Sequence, residues 1–282
     1  MKLYSPAVIS SLMEKHSFKP SKSMGQNFLA DGNITEKIID AAGIEKKDVV
    51  IEVGPGMGVM TAAAASRAAK VIAIEKDRAL IPVLKDALCE YDNIEIINDD
   101  ILKTDINSLT GRDGIKIIGN LPYYITTPII MKVLEEKVKA ESLTVMVQRE
   151  VADRLKAAPG TKDYGAITAS VNYYCEVCHI ADVPRSVFIP KPNVDSAVIR
   201  LDIRKGPPVN LIDESVFFAV IKAGFGQRRK TLLNALTGLY GLDRKEIEKA
   251  LENAAIVPGR RAETLDIYEF AEIAAFIHKG KK

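Results

Sequence analysis

A short apolar run, Ile115 to Gly119, ends in the tetrapeptide Asn120-Leu121-Pro122-Tyr123. An amide oxygen and a backbone carbonyl at such a strand end can accept hydrogen bonds from an exocyclic amino group, and a tyrosine ring can stack on the attached heterocycle. The proline fixes the backbone between them. The tetrapeptide therefore indicates a binding site for a planar amine, and it suits transfer of a group onto the nitrogen of that amine.

A second pattern indicates a cofactor that contains a nucleoside. The apolar run 48–53 ends in a turn with glycines at 54, 56 and 58, where bare backbone lets a ligand approach closely. Glu75 ends the next apolar run, 21 positions after Gly54. At that place a carboxylate can accept both hydroxyl protons of a ribose.

The spacing of the glycines bears on which cofactor this is. A dinucleotide needs Gly-x-Gly-x-x-Gly to bring its pyrophosphate onto a helix N-terminus, and here the third glycine comes one residue early. Glu52 adds a negative charge that suits a cofactor bearing a cation, such as the amino group of S-adenosylmethionine. Asp100, in the pair Asp99-Asp100 after the third strand, either accepts a hydrogen bond from the adenine amino group or belongs to a solvated turn.

The elements that must position these residues alternate in type along the chain. Short strand-to-helix periods of this kind are typical of βαβ units in a parallel sheet. The predicted strands are 48–53, 71–74, 94–97, 115–118, 142–147, 176–183 and 196–203, and the predicted helices among them are 32–42, 59–69, 77–90, 128–138 and 149–156. The class is therefore α/β, with a seven-stranded sheet.

After the linker Gly206-Pro207-Pro208 the pattern changes to helices only. These helices are predicted at 214–223, 230–239, 244–253 and 267–278. The predicted organisation is a sheet domain over 1–206, which includes a basic N-terminal extension, and a small all-helical domain over 207–282. Asp243 and Asp266 are expected to cap the last two helices.

Composition and charge narrow the function classes only modestly. Hydrophobic residues make up 47% of the 282 residues and the net charge is +2, an ordinary soluble globular composition. The absence of a signal sequence or a long apolar run makes a cytoplasmic protein the default, and monomer is the default oligomeric state. Cys175-x-x-Cys178-His179 matches the haem-attachment pattern, but without an export signal we expect no haem there. Three cysteines are too few for a disulfide framework, and no second ligand pair stands near this motif, so we expect neither disulfides nor zinc or another metal.

Motifs spread over nearly the whole chain resemble those of the small-subunit ribosomal RNA adenine N6,N6-dimethyltransferases. Each motif is weak alone, but all of them in this order are highly specific. They are Gly25 to Leu29 (GQNFL), Glu52 to Gly56 (EVGPG), Glu75, Asp100, Asn120 to Tyr123 (NLPY), Phe188 to Ser196 (FIPKPNVDS) and Phe225 to Thr231 (FGQRRKT). The resemblance implies a seven-stranded Rossmann-like methyltransferase fold, S-adenosylmethionine as methyl donor, and two neighbouring adenines near the 3′ end of small-subunit RNA as substrate.

The resemblance also implies roles for individual residues. The cofactor-contacting set is Asn27, Leu29, Gly54, Glu75, Asp100 and Asn120, to which the glycine turn adds Glu52 and Gly56. The catalytic set is Asn120, Leu121, Pro122 and Tyr123, with Phe188 either covering the other face of the base or plugging the core. The residues expected to hold RNA phosphates are Arg228, Arg229, Lys230, Arg260 and Arg261, with the basic N-terminus. Tyr124 stands where some members carry asparagine, outside the four residues that hold the amine.

Three alternatives differ in substrate or class. A large-subunit ribosomal RNA adenine methyltransferase of the antibiotic-resistance type shares the chemistry, but the segments 193–196 and 225–231 favour the small-subunit group. A non-catalytic RNA-binding assembly factor is disfavoured by the intact tetrapeptide and Glu75. A nicotinamide oxidoreductase is disfavoured by the glycine spacing and Glu52.

Overall fold

The computed structural model describes residues 2–111, 113–227 and 229–281. The chain forms two compact units. The first runs from the N-terminus to Ala152 and includes Val177–Ile203; the second consists of Asp153–Glu176 and the residues from Arg204 onward. The predicted boundary at residue 206 lies close to the junction between Ile203 and Arg204. Residues 153–176, which we assigned to the sheet domain, group with the helical unit instead, because Tyr164, Ala169 and Tyr173 pack in its core.

The strands and helices follow the predicted alternation. The strands are β1 (Phe28–Leu29), β2 (Val49–Val53), β3 (Lys70–Glu75), β4 (Ile94–Asn98), β5 (Ile115–Asn120), β6 (Ala140–Gln148), β7 (Cys175–Val183), β8 (Phe188–Ile189) and β9 (Ser196–Ile203). The helices are α1 (Pro6–Lys15), α2 (Gly32–Ala42), α3 (Val59–Ala65), α4 (Ile81–Ala87), α5 (Ile106–Thr110), α6 (Thr126–Glu135), α7 (Arg149–Leu155), α8 (Ala166–Tyr174), α9 (Glu214–Gly226), α10 (Leu232–Leu236), α11 (Arg244–Asn253) and α12 (Ile267–Gly280).

Seven of the strands form one sheet in the order β4-β3-β2-β5-β6-β9-β7, which confirms the predicted strand set. Neighbouring strands from β4 to β6 pair in parallel, and β9 pairs with β6 in the antiparallel sense. The chain builds the sheet outward from β2 to β4 and then resumes at β5 on the other side of β2. Open α/β sheets bind ligands at such a switch point, beyond the carboxyl ends of the strands.

Burial explains why the central strands read as continuous apolar runs. Every residue of β2 is buried, as expected for a parallel strand covered on both faces. One apolar cluster joins residues of α2 and α3 to Val50 and Ile118, and another joins residues of α1 and α4 to Phe28.

Four elements of the first unit are absent from the predicted set, namely α1, β1, α5 and β8. The N-terminal residues, expected to be a basic extension, contain α1, which buries Ile9 and Leu12. The segment 25–29, which is in none of the predicted strands, includes β1, which pairs with β8 so that Leu29 lies opposite Phe188. A two-residue strand is too short to leave a periodic signal, so only its partner in space defines it.

The second unit is a helical bundle with well-formed helix starts. Asp213, Asp243 and Asp266 each accept a hydrogen bond from a backbone N–H in the first turn of α9, α11 and α12, as the sequence predicted for the last two. Its apolar core includes Phe217 and Phe270, both fully buried. No helix of the described residues is long and apolar enough to cross a membrane.

Candidate active site

A cleft lies at the carboxyl ends of β2, β3, β4 and β5, all within the first unit. It encloses about 1000 Å³, part of which is open to solvent. Four strand ends and the segment before α2 line it, so residues far apart in sequence meet there. The lining residues are Met24, Gly25, Gln26, Asn27, Phe28, Leu29, Val53, Gly54, Pro55, Gly56, Met57, Val59, Met60, Ile74, Glu75, Lys76, Leu80, Asp99, Asp100, Ile101, Asn120, Leu121, Pro122, Tyr123, Tyr124, Ile125 and Ile129.

The turn after β2 presents bare backbone to the cleft. Gly54 and Gly56 have φ of +67° and +56°, a conformation that residues with a Cβ rarely adopt. A Cβ on Gly56 would also lie only 2.8 Å from the Phe28 ring, whereas a Cβ on Gly54 would meet nothing within 4 Å. Gly54 therefore leaves open space in the cleft, and Gly56 lets the turn pack closely on β1.

Glu75 ends β3 with a nearly buried carboxylate that is 6% exposed. Its Oε1 accepts a hydrogen bond from the Asp77 N–H at 2.7 Å. Burial raises the pKa of the Glu75 carboxyl to about 7, and hydrogen bonds from the backbone N–H groups of Asp77 and Gly56 oppose this rise. A ligand that donates hydroxyl protons to this carboxylate would stabilise its charged form.

Asp100, after β4, is a charged carboxylate at the same edge. Lys76 lies 2.9 Å from its Oδ2, and the Leu102 N–H donates to its Oδ1 at 3.0 Å. The hydrogen bond from Lys76 holds the pKa of Asp100 below its ordinary value. The neighbouring Asp99 also lines the cleft, but its two oxygens accept hydrogen bonds from the Asp100 N–H and the Thr104 hydroxyl.

The side-chain amide of Asn120 has a fixed orientation. Its Nδ2 donates to the backbone carbonyl of Asn27 at 2.8 Å, and the Nδ2 of Asn27 donates in turn to the Gly25 carbonyl at 3.0 Å. Rotating the Asn120 amide by half a turn would bring two oxygens together, so Oδ1 is the atom left to accept. Among the described residues no donor reaches this Oδ1 or the backbone carbonyl of Leu121, while the Leu121 N–H is held by Met146.

Tyr123 is anchored at its hydroxyl. That group shares a hydrogen bond of 2.8 Å with the hydroxyl of Ser196, a fully buried residue at the start of β9. Burial raises the pKa of the Tyr123 phenol, so the hydroxyl keeps its proton at neutral pH. The ring lines the cleft beside Pro122, and the next residue, Tyr124, is 55% exposed.

Most of the predicted cofactor and amine-binding residues are brought together in this cleft, but two are not. Glu52 is fully buried in β2, does not line the cleft, and its carboxylate oxygens have no hydrogen-bond partner among the described residues. Burial raises the pKa of this carboxyl to about 8. Glu52 is therefore mostly neutral at pH 7, which corrects the expectation that it offers a negative charge to the cofactor.

Phe188 is the second residue that lies elsewhere. It is 3% exposed and packs in the apolar cluster that contains Leu29 and Val183, and it does not line the cleft. Of the two roles left open by the sequence, the structure supports packing of the Phe188 side chain in the hydrophobic core. Pairing of β8 with β1 draws this aromatic ring inward.

The comparisons with known proteins agree with this geometry. The family model described as "Ribosomal RNA adenine dimethylase" matches residues 17–277. The chain belongs to this family. It is 50% identical over 281 residues to "Ribosomal RNA small subunit methyltransferase A" of Clostridioides difficile, covering 98% of this chain and 97% of that protein. A protein of the same name from Geobacillus thermodenitrificans is 50% identical over 277 residues, covering 95% of this chain and 94% of that protein.

Two solved structures of related enzymes share the fold. A dimethyladenosine transferase from Plasmodium falciparum superposes with a TM-score of 0.78 at 28% identity, covering 90% of this chain and 98% of that one. The 23S rRNA methyltransferase ErmE superposes with a TM-score of 0.69 at 27% identity, covering 89% of this chain and all of that one. As a member of the family, the chain is an rRNA adenine methyltransferase, and it uses S-adenosylmethionine as methyl donor.

The cleft of this family member fits that donor. Glu75 offers a carboxylate suited to the ribose hydroxyls, Asp100 offers one suited to the adenine amino group, and the open space at Gly54 leaves room for the methionine portion. Apolar Leu29 and Ile101 complete the walls. Among the described residues no cluster of His, Cys, Asp and Glu is arranged to hold a metal ion.

The predicted RNA-binding residues lie in the helical unit, and their surroundings differ. Arg229 and Lys230 are exposed, whereas Arg228 lies outside the described residues. Arg260 forms a two-pronged ion pair with Glu269 and donates to the Thr264 carbonyl at 2.7 Å, so its guanidinium is already held by its own unit.

Arg261 is more exposed than Arg260 and lies 4.0 Å from Glu263. At that distance the pairing is weak, so Arg261 remains available at the surface. The structure thus separates the exposed members Arg229, Lys230 and Arg261 from the internally paired Arg260.

Gln26, Lys76 and Tyr124 are among the lining residues that were given no role from sequence. Gln26 lies inside the motif Gly25 to Leu29, but only its contacts in space show what its amide does. Lys76 follows Glu75 directly and reaches Asp100 across the edge of the sheet. Tyr124, which the sequence places outside the four residues expected to hold the amine, is exposed and also lines the cleft. Its ring lies close to Gly25, at which an added Cβ would be 3.6 Å away.

Proposed function

We propose that this protein transfers methyl groups from S-adenosylmethionine to N6 of two adjacent adenines in a hairpin loop near the 3′ end of small-subunit ribosomal RNA, giving N6,N6-dimethyladenine. Relatives at 50% identity carry small-subunit names, whereas the large-subunit enzyme ErmE is 27% identical, which supports the small subunit as target. The protein would then act in small-subunit biogenesis in the cytoplasm, as a monomer, on RNA in a partly assembled subunit.

The single observation that carries the chemistry is the fixed amide of Asn120. Its Nδ2 is occupied by the Asn27 carbonyl, so Oδ1 is left to accept a hydrogen bond, and the carbonyl of the next residue, Leu121, is a second acceptor. An adenine N6 amino group has two N–H donors, and its lone pair is delocalised into the ring. Two acceptors on the two N–H groups would hold the nitrogen in one orientation, with its lone pair aimed across the cleft toward the cofactor side.

When bound, the cofactor supplies an electrophilic methyl group on its sulfonium. The protein's part is to hold the base, which Tyr123 does by stacking, with its ring kept in place by Ser196. Pro122 fixes the backbone between the two acceptors. No histidine is among the lining residues of the described cleft, which suits a reaction that depends on positioning more than on a strong base.

The second methylation places a further demand on the same residues. After the first transfer only one N–H remains, so only one of the two acceptors, Asn120 Oδ1 or the Leu121 carbonyl, keeps its hydrogen bond. The other must face a methyl group. We therefore expect the second transfer to be more sensitive than the first to any loosening of the Asn120 amide.

The helical unit would hold the RNA backbone. Arg229, Lys230 and Arg261 are exposed cations suited to phosphates, and a target base must leave its stack to reach a cleft of this kind. A hairpin loop lowers the cost of that step compared with a duplex.

Two measurements test the proposal. Unmethylated small and large ribosomal subunits, supplied separately with labelled S-adenosylmethionine, should give label in the small-subunit RNA only; label confined to the large subunit would refute the assignment. Asn120→Ala should lower the rate of methyl transfer by about 100-fold or more while keeping the affinities for RNA and cofactor within about threefold, as expected for a lost positioning contact. The matched control is Asn253→Ala, because Asn253 is exposed at the end of α11 and does not line the cleft. Near-normal methylation by Asn120→Ala would remove the proposed role.

A further inference from the structure

Residues 21–27, here called the clasp segment, line the cleft from Met24 onward, and the side chain of Gln26 holds the segment at two points. Its Oε1 accepts from the Ser21 N–H at 2.6 Å, which folds the segment back on itself. Its Nε2 donates to Oδ2 of Asp77 at 2.7 Å, which ties the segment to the chain that follows β3. Gln26 therefore uses both ends of its amide to fix the segment.

On the cofactor side the connection continues to Glu75. The Asp77 N–H donates to Glu75 Oε1 at 2.7 Å, and the other Asp77 oxygen accepts from the Ala79 N–H at 2.9 Å. Asp77 thus joins Gln26, the start of the following helical turn and the carboxylate that suits the ribose. Any motion of Gln26 away from Asp77 leaves Asp77 Oδ2 without the hydrogen bond from the Gln26 amide.

On the amine side the segment ends at Asn27. The Asn27 carbonyl holds the Asn120 Nδ2 at 2.8 Å, and this bond aims Asn120 Oδ1. One residue earlier, Gly25 lies against Tyr124 and Pro122: a Cβ added there would be 3.6 Å and 3.8 Å from them. The clasp segment is therefore a short physical link between the cofactor carboxylate and the amide that positions the base.

We infer that Gln26 is a positioning residue that holds the clasp segment in its binding-competent conformation before either ligand arrives. This inference rests on the proposed function. With Gln26 in place, neither cofactor nor RNA has to order the segment. Without it, the ligand that binds first bears the entropic cost of ordering and the second does not, so the two ligands become cooperative.

A positioning role for Gln26 predicts a specific pattern of changes in the dissociation constants of the two ligands. If loss of the clasp leaves about one-tenth of the molecules competent, the apparent dissociation constant of either ligand alone rises about tenfold. When the other ligand is saturating, the segment is already ordered and the rise shrinks to less than about threefold. Linkage requires the same factor in both directions. A side chain that merely contacted the cofactor would weaken binding equally with and without RNA.

The experiment measures binding of S-adenosylhomocysteine by calorimetry, alone and with saturating unmethylated small ribosomal subunits. Gln26→Met removes both hydrogen bonds at nearly constant volume. Asp77→Ser is the second variant, because serine keeps a helix-capping oxygen but is too short to reach Gln26. Both should show the tenfold loss alone and its recovery with subunits, and the double variant should be no worse than either single one. Ser10→Ala, on the exposed face of α1, is the control.

Steady-state methylation gives an independent readout. KM for S-adenosylmethionine at low subunit concentration should rise about tenfold in Gln26→Met, while kcat at saturation stays within about threefold. Equal loss of cofactor affinity with and without subunits, or no loss at all, overturns the inference while leaving the proposed function intact. If the unaltered protein neither binds S-adenosylhomocysteine nor methylates small subunits, the proposed function fails, and the inference with it.

Discussion

The buried carboxyl of Glu52 predicts a specific dependence of protein stability on pH. The residue is fully buried in β2, and neither oxygen has a hydrogen-bond partner among the described residues. Burial raises the pKa of its carboxyl from 4.5 to about 8. The folded protein therefore binds this proton more tightly than the unfolded chain does. Stability from Glu52 is fully present below about pH 4.5 and is lost as the pH rises through the folded-state value.

The size of the effect follows from the two values of the pKa. At about 1.4 kcal/mol for each tenfold change in proton affinity, the full difference is on the order of 5 kcal/mol, and roughly 3 kcal/mol of it falls between about pH 5 and pH 8. Glutamine has nearly the same shape and does not titrate. Glu52→Gln should therefore flatten the decline in unfolding free energy over this range by roughly 3 kcal/mol, whatever constant offset the amide introduces.

Urea denaturation followed by far-UV circular dichroism at several pH values measures this slope. Glu75, whose carboxyl also has a raised pKa, contributes a decline of the same sign in both proteins. Its charge adds to the rise at Glu52, so the flattening in Glu52→Gln includes the loss of this coupling. The exposed Glu135→Gln is the control for loss of one negative charge. Parallel curves for the unaltered protein and Glu52→Gln would refute the reasoning, because they would mean that the carboxyl is charged, solvated or paired in the folded state.

Three further predictions concern the packing and the charge distribution. Gly119→Ala should lower the free energy of unfolding by about 1–3 kcal/mol and the thermal midpoint by several degrees, because a Cβ there would lie 2.8 Å from the Val53 carbonyl. Gly206→Ala, which has open space around it, is the control in the same thermal scan. Neutralising Arg229 and Lys230 to glutamine should weaken binding to small subunits and reduce the slope of log affinity against log salt by about 1.5, measured by filter binding. An unchanged slope would place those cations away from the RNA. Arg260→Gln should instead lower stability with little change in slope, because its guanidinium pairs with Glu269.

Much of the sheet could be read from the sequence because local pattern and burial agree there. The strands β2 to β6 are largely apolar, and their order along the chain is that of βαβ units. Chemistry-bearing residues at strand ends could be placed for the same reason, since parallel strands deliver their carboxyl ends to one edge. Gly54, Glu75, Asp100 and Asn120 all line the cleft as predicted.

Burial was the quantity that the sequence did not determine. Glu52 and Glu75 are both acids at or near the ends of neighbouring strands, yet only Glu75 faces the cleft. Glu52 is the last residue but one of β2, where the neighbouring strands and helices cover both faces of the sheet. Glu75 is the last residue of β3, at the edge of the sheet where the cleft begins. Phe188 likewise is drawn into the core by a two-residue strand pair that no periodicity could reveal.

By itself, the sequence determined the class of fold, the strand ends that carry the chemistry and the family to which the chain belongs, because these depend on residue type and on spacing along the chain. The tertiary structure alone decided which way the Asn120 amide faces. That orientation depends on a carbonyl 93 positions earlier, held in place through Gln26 and Asp77. Hydrogen bonds between such distant residues form only when the sheet has brought both partners to the same edge.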